Sequence, residues 1–169
     1  LETMLPMKRP RLSAVEVLQD YRLALTFIDG QQLTLDLSRD LQVFAGLQPL
    51  RGSAFEGAML GDDGWCVEWP ELDIQIGADT LYLDALAQNA SDENTRIFID
   101  WRARTGLPLN QAAEALGVSA RSISRYSSGR EAVPRSLALA CLGWDFLQQQ
   151  ANPLRAAEDT GRYTVTRKD

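Results

Sequence analysis

The chain has 169 residues but contains no histidine, only two cysteines and no long uninterrupted apolar run. The lack of histidine excludes Ser–His–Asp and Cys–His catalysis and every histidine-ligated metal site. Cys66 and Cys141 have no metal-ligand spacing, so we interpret them as buried free thiols, with a disulfide as the alternative. The longest apolar candidate, near residues 137–142, is too short to span a membrane. These absences favour a cytoplasmic protein that is not an enzyme, and predict no cofactor, metal or membrane partner.

The acidic residues are concentrated in the first half of the chain. Residues 1–90 carry 14 acids and 6 bases, a net charge of −8, whereas residues 91–169 carry 9 acids and 11 bases, a net charge of +2. The apolar content of 45% is normal for a globular protein and allows one domain or two small ones. Because a phosphate backbone would repel the acidic half, this asymmetry indicates two modules with different partners.

The first half contains alternating apolar and polar residues, as half-buried strands do. Residues 12–17 are apolar in part, and Tyr21, Leu23, Leu25 and Phe27 alternate with smaller or polar residues up to residue 28. The pair Asp29-Gly30 follows at once and is typical of a hairpin turn. A return strand is then indicated by alternating Leu33, Leu35 and Leu37.

Shorter elements are expected in the rest of this half. Ser38 could cap a short helix, residues 46–57 form a broken region, and residues 61–64 form a turn. A strand is expected over 65–69, with Ile74 and Ile76 as its extension, and Asp79 or Thr80 could cap a helix over 81–89. We expect Trp65 and Trp69 on one face of the strand, filling a core rather than stacking on a ligand.

Several short motifs in this half resemble a family of small bacterial domains of unknown function. The Asp29-Gly30 hairpin is followed by Asp36-Leu37-Ser38, and then by Trp69-Pro70, Asp73-Ile74 and Asp79-x-Leu81-Tyr82. The resemblance covers residues 11–85 and implies a small α+β domain with an antiparallel sheet and no assigned activity. We assign this domain to residues 11–89 and expect it to sense, to bind a protein or small-molecule partner, or to dimerise.

Residues 91–154 predict a second, all-helical domain, followed by a polar tail at 155–169. Ser91 or Asp92 could cap a helix over 93–104 that ends at Thr105-Gly106 and places Ile97, Phe98 and Trp101 on one face. Pro134 opens a long helix through Gln149 that is apolar over more than half its surface. A small domain does not bury so large an apolar surface alone, so we predict a homodimer.

Between these helices, residues 109–130 carry the pattern of a helix-turn-helix unit. Ala113 is small where two helices approach, Gly117 permits the positive φ of a sharp turn, and Ser119 can cap a second helix. Six arginines against two acids lie between residues 101 and 135, and we expect Arg121, Arg125 and Arg130 to be unpaired on the exposed face. The second helix of such a unit lies in the DNA major groove. The inward positions are Leu116, Val118, Ile123 and Tyr126.

Residues 93–150 resemble the Cro/cI (lambda repressor-like) DNA-binding superfamily. The motif glycine falls on Gly117, the small residue on Ala113, and the glycine that ends the recognition helix on Gly129. The resemblance implies a recognition helix near 119–128 that contacts double-stranded DNA. The DNA-binding residues that it implies are Ser119, Ala120, Arg121, Ser124, Arg125 and Ser128. We expect Arg130, and Arg102 as a further contact, to hold the phosphate backbone.

We therefore expect an α+β domain followed by an all-α domain, and a bacterial transcriptional regulator as the function. Two alternatives remain open. Leu109 stands where many superfamily members carry glutamine and Ala120 has no hydrogen-bonding group, so the unit could be a protein-interaction module that does not bind DNA. The third hypothesis is an enzyme that uses the acidic half, whose metal site would draw on Asp62, Asp63, Asp73 and Asp79.

Overall fold

The computed structural model describes residues 7–151, which divide into two compact units between Ala85 and Leu86. The predicted polar tail at 155–169 lies outside the described residues, as does the predicted end of the second domain at 154. Among the helices of residues 7–151, none has the length and apolar character needed to cross a membrane. The first unit is α+β and the second is all-helical, so the predicted fold class is confirmed.

The first unit begins with a three-stranded antiparallel sheet in the order β1-β2-β3. The strands are β1 (Leu12–Leu18), β2 (Arg22–Phe27) and β3 (Gln32–Asp36). Leu23 pairs with Leu35 and Leu25 with Leu33, which places alternate side chains of β2 in the core, as predicted. The turn at Asp29-Gly30 is confirmed, because Gly30 has a φ of 90° and donates its N–H to the Phe27 carbonyl at 2.9 Å.

A second antiparallel sheet contains β4 (Met59–Gly61), β5 (Cys66–Trp69) and β6 (Ile74–Gly77). The prediction that Ile74 and Ile76 extend the strand before them is wrong. A 3₁₀ turn at Pro70–Leu72 and a left-handed Asp73 (φ 54°) reverse the chain, so β6 pairs back on β5. Trp69 is in the core, but Trp65 precedes the strand and is half-buried, so the two tryptophans do not share a strand face.

Two arginines lie over the Trp65 ring. The guanidinium carbons of Arg9 and Arg11 lie 5.1 and 5.2 Å from its ring centroid. Such cation–π contacts stabilise the ring face without a bound ligand.

The α-helices of the first half are α1 (Ser38–Val43) and α2 (Ala78–Gln88), and the two units divide within α2. Ser38 does not cap α1 as predicted. It is the first helical residue, and the Asp36 carboxylate accepts hydrogen bonds from its N–H at 2.8 Å and its hydroxyl at 2.6 Å. Helix α2 begins three residues earlier than the predicted start at Leu81. The broken region forms two 3₁₀ helices, Ala45–Leu50 and Gly52–Gly57.

The second unit contains α3 (Glu93–Thr105), α4 (Leu109–Leu116), α5 (Ala120–Ser127) and α6 (Arg135–Ala151). Asp92 caps α3, as predicted, and accepts hydrogen bonds from the Thr95 N–H at 3.0 Å and hydroxyl at 2.6 Å, which hold the pKa of its carboxyl below the ordinary range. A left-handed Gly106 ends α3, also as predicted. The least exposed apolar residues are Phe98, Ile99, Trp101, Ala112, Ile123, Ala138 and Cys141.

Both cysteines are free and buried, which confirms the free-thiol interpretation. Burial raises the pKa of Cys66, and burial together with the charge of Asp145 raises the pKa of Cys141 to about 12. Because the thiolate is the reactive form, both thiols are poor nucleophiles and poor metal ligands at neutral pH.

We predict that residues 91–154 fold alone as a helical domain. The apolar residues of α3 to α6 bury one another, and a domain of this size can bury enough surface to fold. Circular dichroism of that fragment should show cooperative helical unfolding. A longer fragment over 78–154, which adds α2, is the control. If the shorter fragment is unfolded while the full chain folds, the boundary at residue 91 is wrong.

Candidate nucleic-acid interface

Helices α4 and α5 are joined by a turn of three residues, Gly117, Val118 and Ser119. Gly117 has a left-handed φ of 71°. The Val118 N–H donates to the Ala113 carbonyl at 3.1 Å, and the Gly117 N–H donates to the Glu114 carbonyl at 3.4 Å. This pair of bonds is the Schellman pattern, in which a left-handed residue after the helix satisfies its last carbonyls. The glycine turn predicted from sequence is therefore confirmed.

Ser119 begins α5 in the way the sequence predicts. Its hydroxyl oxygen accepts a hydrogen bond from the Ser122 N–H at 3.1 Å and donates to the Ser122 hydroxyl at 2.9 Å. The cap satisfies one of the amide groups that a helix leaves unpaired in its first turn. The remaining first-turn amides point out of the helix N-terminus, where they favour an anion such as phosphate.

The inner face of α5 is fixed by Ile123 and Tyr126. Ile123 is fully buried, and the Tyr126 ring packs edge-on against Phe98 of α3, with centroids 6.4 Å apart. Because of the helical period, the side chains of Ser124 and Arg125, which lie between these positions, point outward. The predicted inward side of the helix is confirmed by this packing.

The predicted DNA-binding residues lie on α5 and at its two ends. Ser119, Arg121, Ser124, Arg125 and Arg130 are exposed, and Ala120 and Ser128 are half-buried. Among residues 7–151, the side chain of Arg121 has no hydrogen bond or ion pair, so its guanidinium is available to a partner. The outer face of α5 therefore presents the Arg121 guanidinium, and Ser124 follows three residues later on the same face.

Arg125 and Arg130 differ from the sequence-based expectation, because neither is unpaired. The Nε atom of Arg125 is 3.3 Å from the Glu131 carboxylate, and its Nη2 donates to the Tyr126 hydroxyl at 2.9 Å. Its guanidinium carbon also lies 4.7 Å from the Tyr126 ring centroid. The expectation failed because Glu131 lies beyond the turn at Gly129, whereas helical spacing relates only residues three or four apart.

Ser128 holds the end of α5. Its hydroxyl donates to the Arg125 carbonyl at 2.8 Å and accepts the Arg130 N–H at 3.3 Å. The hydroxyl therefore closes the last turn before Gly129, which has a φ of 72°. A contact from Ser128 to DNA would compete with this closing role.

Arg102 is an internal support rather than an exposed cation. It is half-buried, its Nη1 donates to the Leu107 carbonyl at 2.6 Å, and its Nε donates to the Ser127 hydroxyl at 3.3 Å. Burial lowers the pKa of its guanidinium. Since Leu107 precedes α4 and Ser127 ends α5, Arg102 fixes the start of one helix to the end of the other.

The positive charge of this region is smaller at the surface than a residue count indicates. Arg104 is bound by Asp100 at 2.9 Å and by Asp145 of α6 at 2.8 Å, so its charge is compensated within the unit. Asn110 and Gln111 were not among the predicted DNA-binding residues, but both are exposed in the first turn of α4. Their position in the helical turn that Pro108 opens is the signal that could have identified them, since polar side chains at a helix start can reach phosphate.

The acidic half forms no metal site in the part of the chain that the structure describes. Within residues 7–151, no three side chains of aspartate, glutamate, cysteine or histidine are grouped so that they could hold a metal ion. The four aspartates of the enzyme hypothesis therefore do not form a shared ligand set there.

Two family models match the chain. One, described as "Protein of unknown function (DUF2442)", matches residues 12–86, and one described as "Helix-turn-helix domain" matches residues 100–143. Both matches confirm the two-part description made from the sequence. No curated protein matches the sequence.

Among solved structures, the chain is similar to a crystal structure named "Putative DNA Binding Protein" from Nitrosomonas europaea. The two sequences are 32% identical over 94% of this chain and 96% of that chain, and the TM-score is 0.52. The chain therefore belongs to the same family as this protein, and it joins a DUF2442 domain of unknown function to a C-terminal helix-turn-helix domain.

Proposed function

We propose that this chain is a bacterial DNA-binding protein that acts as a transcriptional regulator in the cytoplasm and not as an enzyme. The observation that carries the proposal is the packing of α5. Ile123 is buried, whereas Arg121 is exposed and has no ion pair among the described residues. The relative from Nitrosomonas europaea supports it by name. We also propose that the helical unit is lambda repressor-like, as its sequence resemblance implies.

In this mechanism, α5 enters the major groove and Arg121 pairs with a guanine or clamps a phosphate. The N-terminus of α5, capped by Ser119, faces the phosphate backbone. Ser124 contacts a base edge or a phosphate from the same face. Arg125 follows on the same helix and Arg130 lies just beyond its end, and Asn110 and Gln111 contact the backbone from the start of α4.

Selection of bound sequences from a random DNA pool, followed by a salt titration of the enriched site, tests this proposal. Phosphate contacts release counterions, so the binding constant should fall steeply with salt concentration. An enriched sequence with a steep salt dependence is the expected result. Failure of the full chain to bind any duplex at low salt would remove the proposal.

A protein-interaction module without DNA binding is the second candidate. Leu109 is 39% exposed at the start of α4, where many superfamily members carry a polar glutamine, and the whole chain has a pI near 4.7. An apolar side chain at this position suits a protein surface better than a phosphate. The absence of low-salt DNA binding in the experiment above would favour this candidate.

We also propose that the chain forms a homodimer through α6. Leu139, Leu142 and Phe146 share one helix face and are 50%, 48% and 58% exposed. A helix-turn-helix dimer reads two half-sites about 34 Å apart, whereas one unit alone has a small footprint. An exposed apolar face of this kind on the same unit suits a second copy.

Replacing Leu142 and Phe146 with glutamate should therefore convert the dimer to a monomer, because two buried charges would lack partners in the interface. Analytical ultracentrifugation at tens of micromolar should show the parent as a dimer and the variant as a monomer. Val43→Glu is the matched control, since Val43 is 60% exposed in the other unit. A parent that sediments as a monomer with and without DNA contradicts the dimer.

The partner of the first unit is proposed to bind a groove beside the β1–β2 turn. The groove encloses about 750 Å³, and its walls include Val17, Tyr21 and Phe55 together with the acidic Asp20 and Glu56. Asp20 and Tyr21 have positive φ, of 61° and 60°, because they form the tight turn of the β1–β2 hairpin. The support for a protein or small-molecule partner is the groove itself, whose walls combine apolar and acidic side chains.

A further inference from the structure

Glu131 lies beside the DNA-binding face although its negative charge opposes binding to DNA. Its Oε2 atom is 3.3 Å from Nε of Arg125, and the two side chains are 56% and 52% exposed. Glu114, the other acid of the helix-turn-helix region, has no ion pair among residues 7–151. The acid that follows the recognition helix is thus the one that contacts a predicted DNA-binding arginine.

Tyr126 holds the same guanidinium and is itself fixed. Its hydroxyl accepts a hydrogen bond from Nη2 of Arg125 at 2.9 Å, and its ring lies 4.7 Å from the guanidinium carbon. The ring packs edge-on against Phe98, so the tyrosine cannot move freely with the arginine. Arg125 is therefore held against its own helix before DNA arrives.

We propose that Glu131 competes with DNA for Arg125 and so sets how strongly the recognition helix binds, an inference that rests on the proposed DNA-binding function. A phosphate or a guanine must displace the Glu131 carboxylate before Arg125 can bind it, so one charged interaction is exchanged for another. Arg121 has no ion pair among the described residues, so it can bind DNA without displacing a carboxylate. A plain phosphate contact replaces the carboxylate with little gain, whereas a guanine that pairs with two donors favours the exchange. Competition by Glu131 thus lowers the affinity of the recognition helix for any DNA that must draw Arg125 away from the carboxylate.

The full-length chain with Glu131→Gln tests this inference on a random-sequence DNA duplex. The glutamine keeps the shape of the side chain and removes the charge that holds Arg125. We expect affinity to rise by about two- to fivefold, the range that an exposed ion pair supports. Glu114→Gln is the matched control, because it removes the same charge from a residue that contacts no arginine, and its gain should be smaller.

A double-mutant cycle separates competition from general repulsion. In an Arg125→Ala background, Glu131→Gln should lose most of its gain and match Glu114→Gln, because no arginine remains to be released. A gain as large as in the parent background, or no gain over the Glu114 control, overturns the inference and leaves DNA binding standing. Absence of binding by the parent at low salt overturns the proposed function, and the inference falls with it.

Discussion

Replacing Arg121 and Arg125 together with alanine should leave the chain folded and weaken DNA binding by about 1–3 kcal/mol for each arginine that reads a base. Folding should persist because both side chains lie on the exposed face of α5, and the buried anchor, Ile123, is unchanged. Affinity is measured on the selected site and on random duplex, with a salt titration of each.

The control for this variant is Arg39→Ala with Arg96→Ala, which changes the net charge equally. Both residues are exposed, Arg39 on α1 and Arg96 on α3, outside the helix-turn-helix. If the arginines of α5 contact only phosphate, the loss will be equal on all sequences and the salt slope will flatten. A folded Arg121/Arg125 variant that binds as well as the parent would contradict the DNA-binding proposal.

Replacing Gly117 with valine should lower the free energy of unfolding by about 1–3 kcal/mol, the usual cost of a strained backbone. The glycine has a φ of 71°, and an added Cβ would meet no atom within 4 Å. The cost therefore comes from the backbone conformation, which a β-branched residue resists, and not from a clash. Chemical denaturation followed by helical circular dichroism measures it.

Asparagine at the same position is the matched control, because it tolerates the left-handed conformation better than valine does. Gly117→Asn should lie between the parent and Gly117→Val in stability. Equal stability of the valine and asparagine variants would mean that the turn does not require positive φ in solution, and the helix-turn-helix assignment would weaken with it.

The first hairpin could be predicted from sequence because its signals are local. Alternation on β2 and the Asp29-Gly30 turn act within a few residues of each other, and both appear in the structure. The reversal before β6 could not be predicted in this way. It depends on the left-handed conformation of Asp73. Aspartate adopts this conformation less often than glycine, so its presence in the sequence does not predict the turn.

The helix-turn-helix was predictable for the same reason, since Gly117 and Ser119 act on neighbouring amides. The pairing of the arginines was not. Arg102 reaches the end of α5 and Arg104 reaches α6, so both are engaged by residues distant in sequence. Counting arginines therefore overstated the free positive charge and left Arg121 as the clearest candidate for a DNA contact.

The two buried cysteines have a practical consequence for mapping the proposed complex. Cys66 and Cys141 are buried, and the raised pKa of each leaves little thiolate at neutral pH. Maleimide and other thiol reagents should therefore leave the native chain largely unlabelled. A cysteine placed at the exposed Ser124 position would then carry a fluorophore or cross-linker almost alone, and would report from the outer face of the recognition helix.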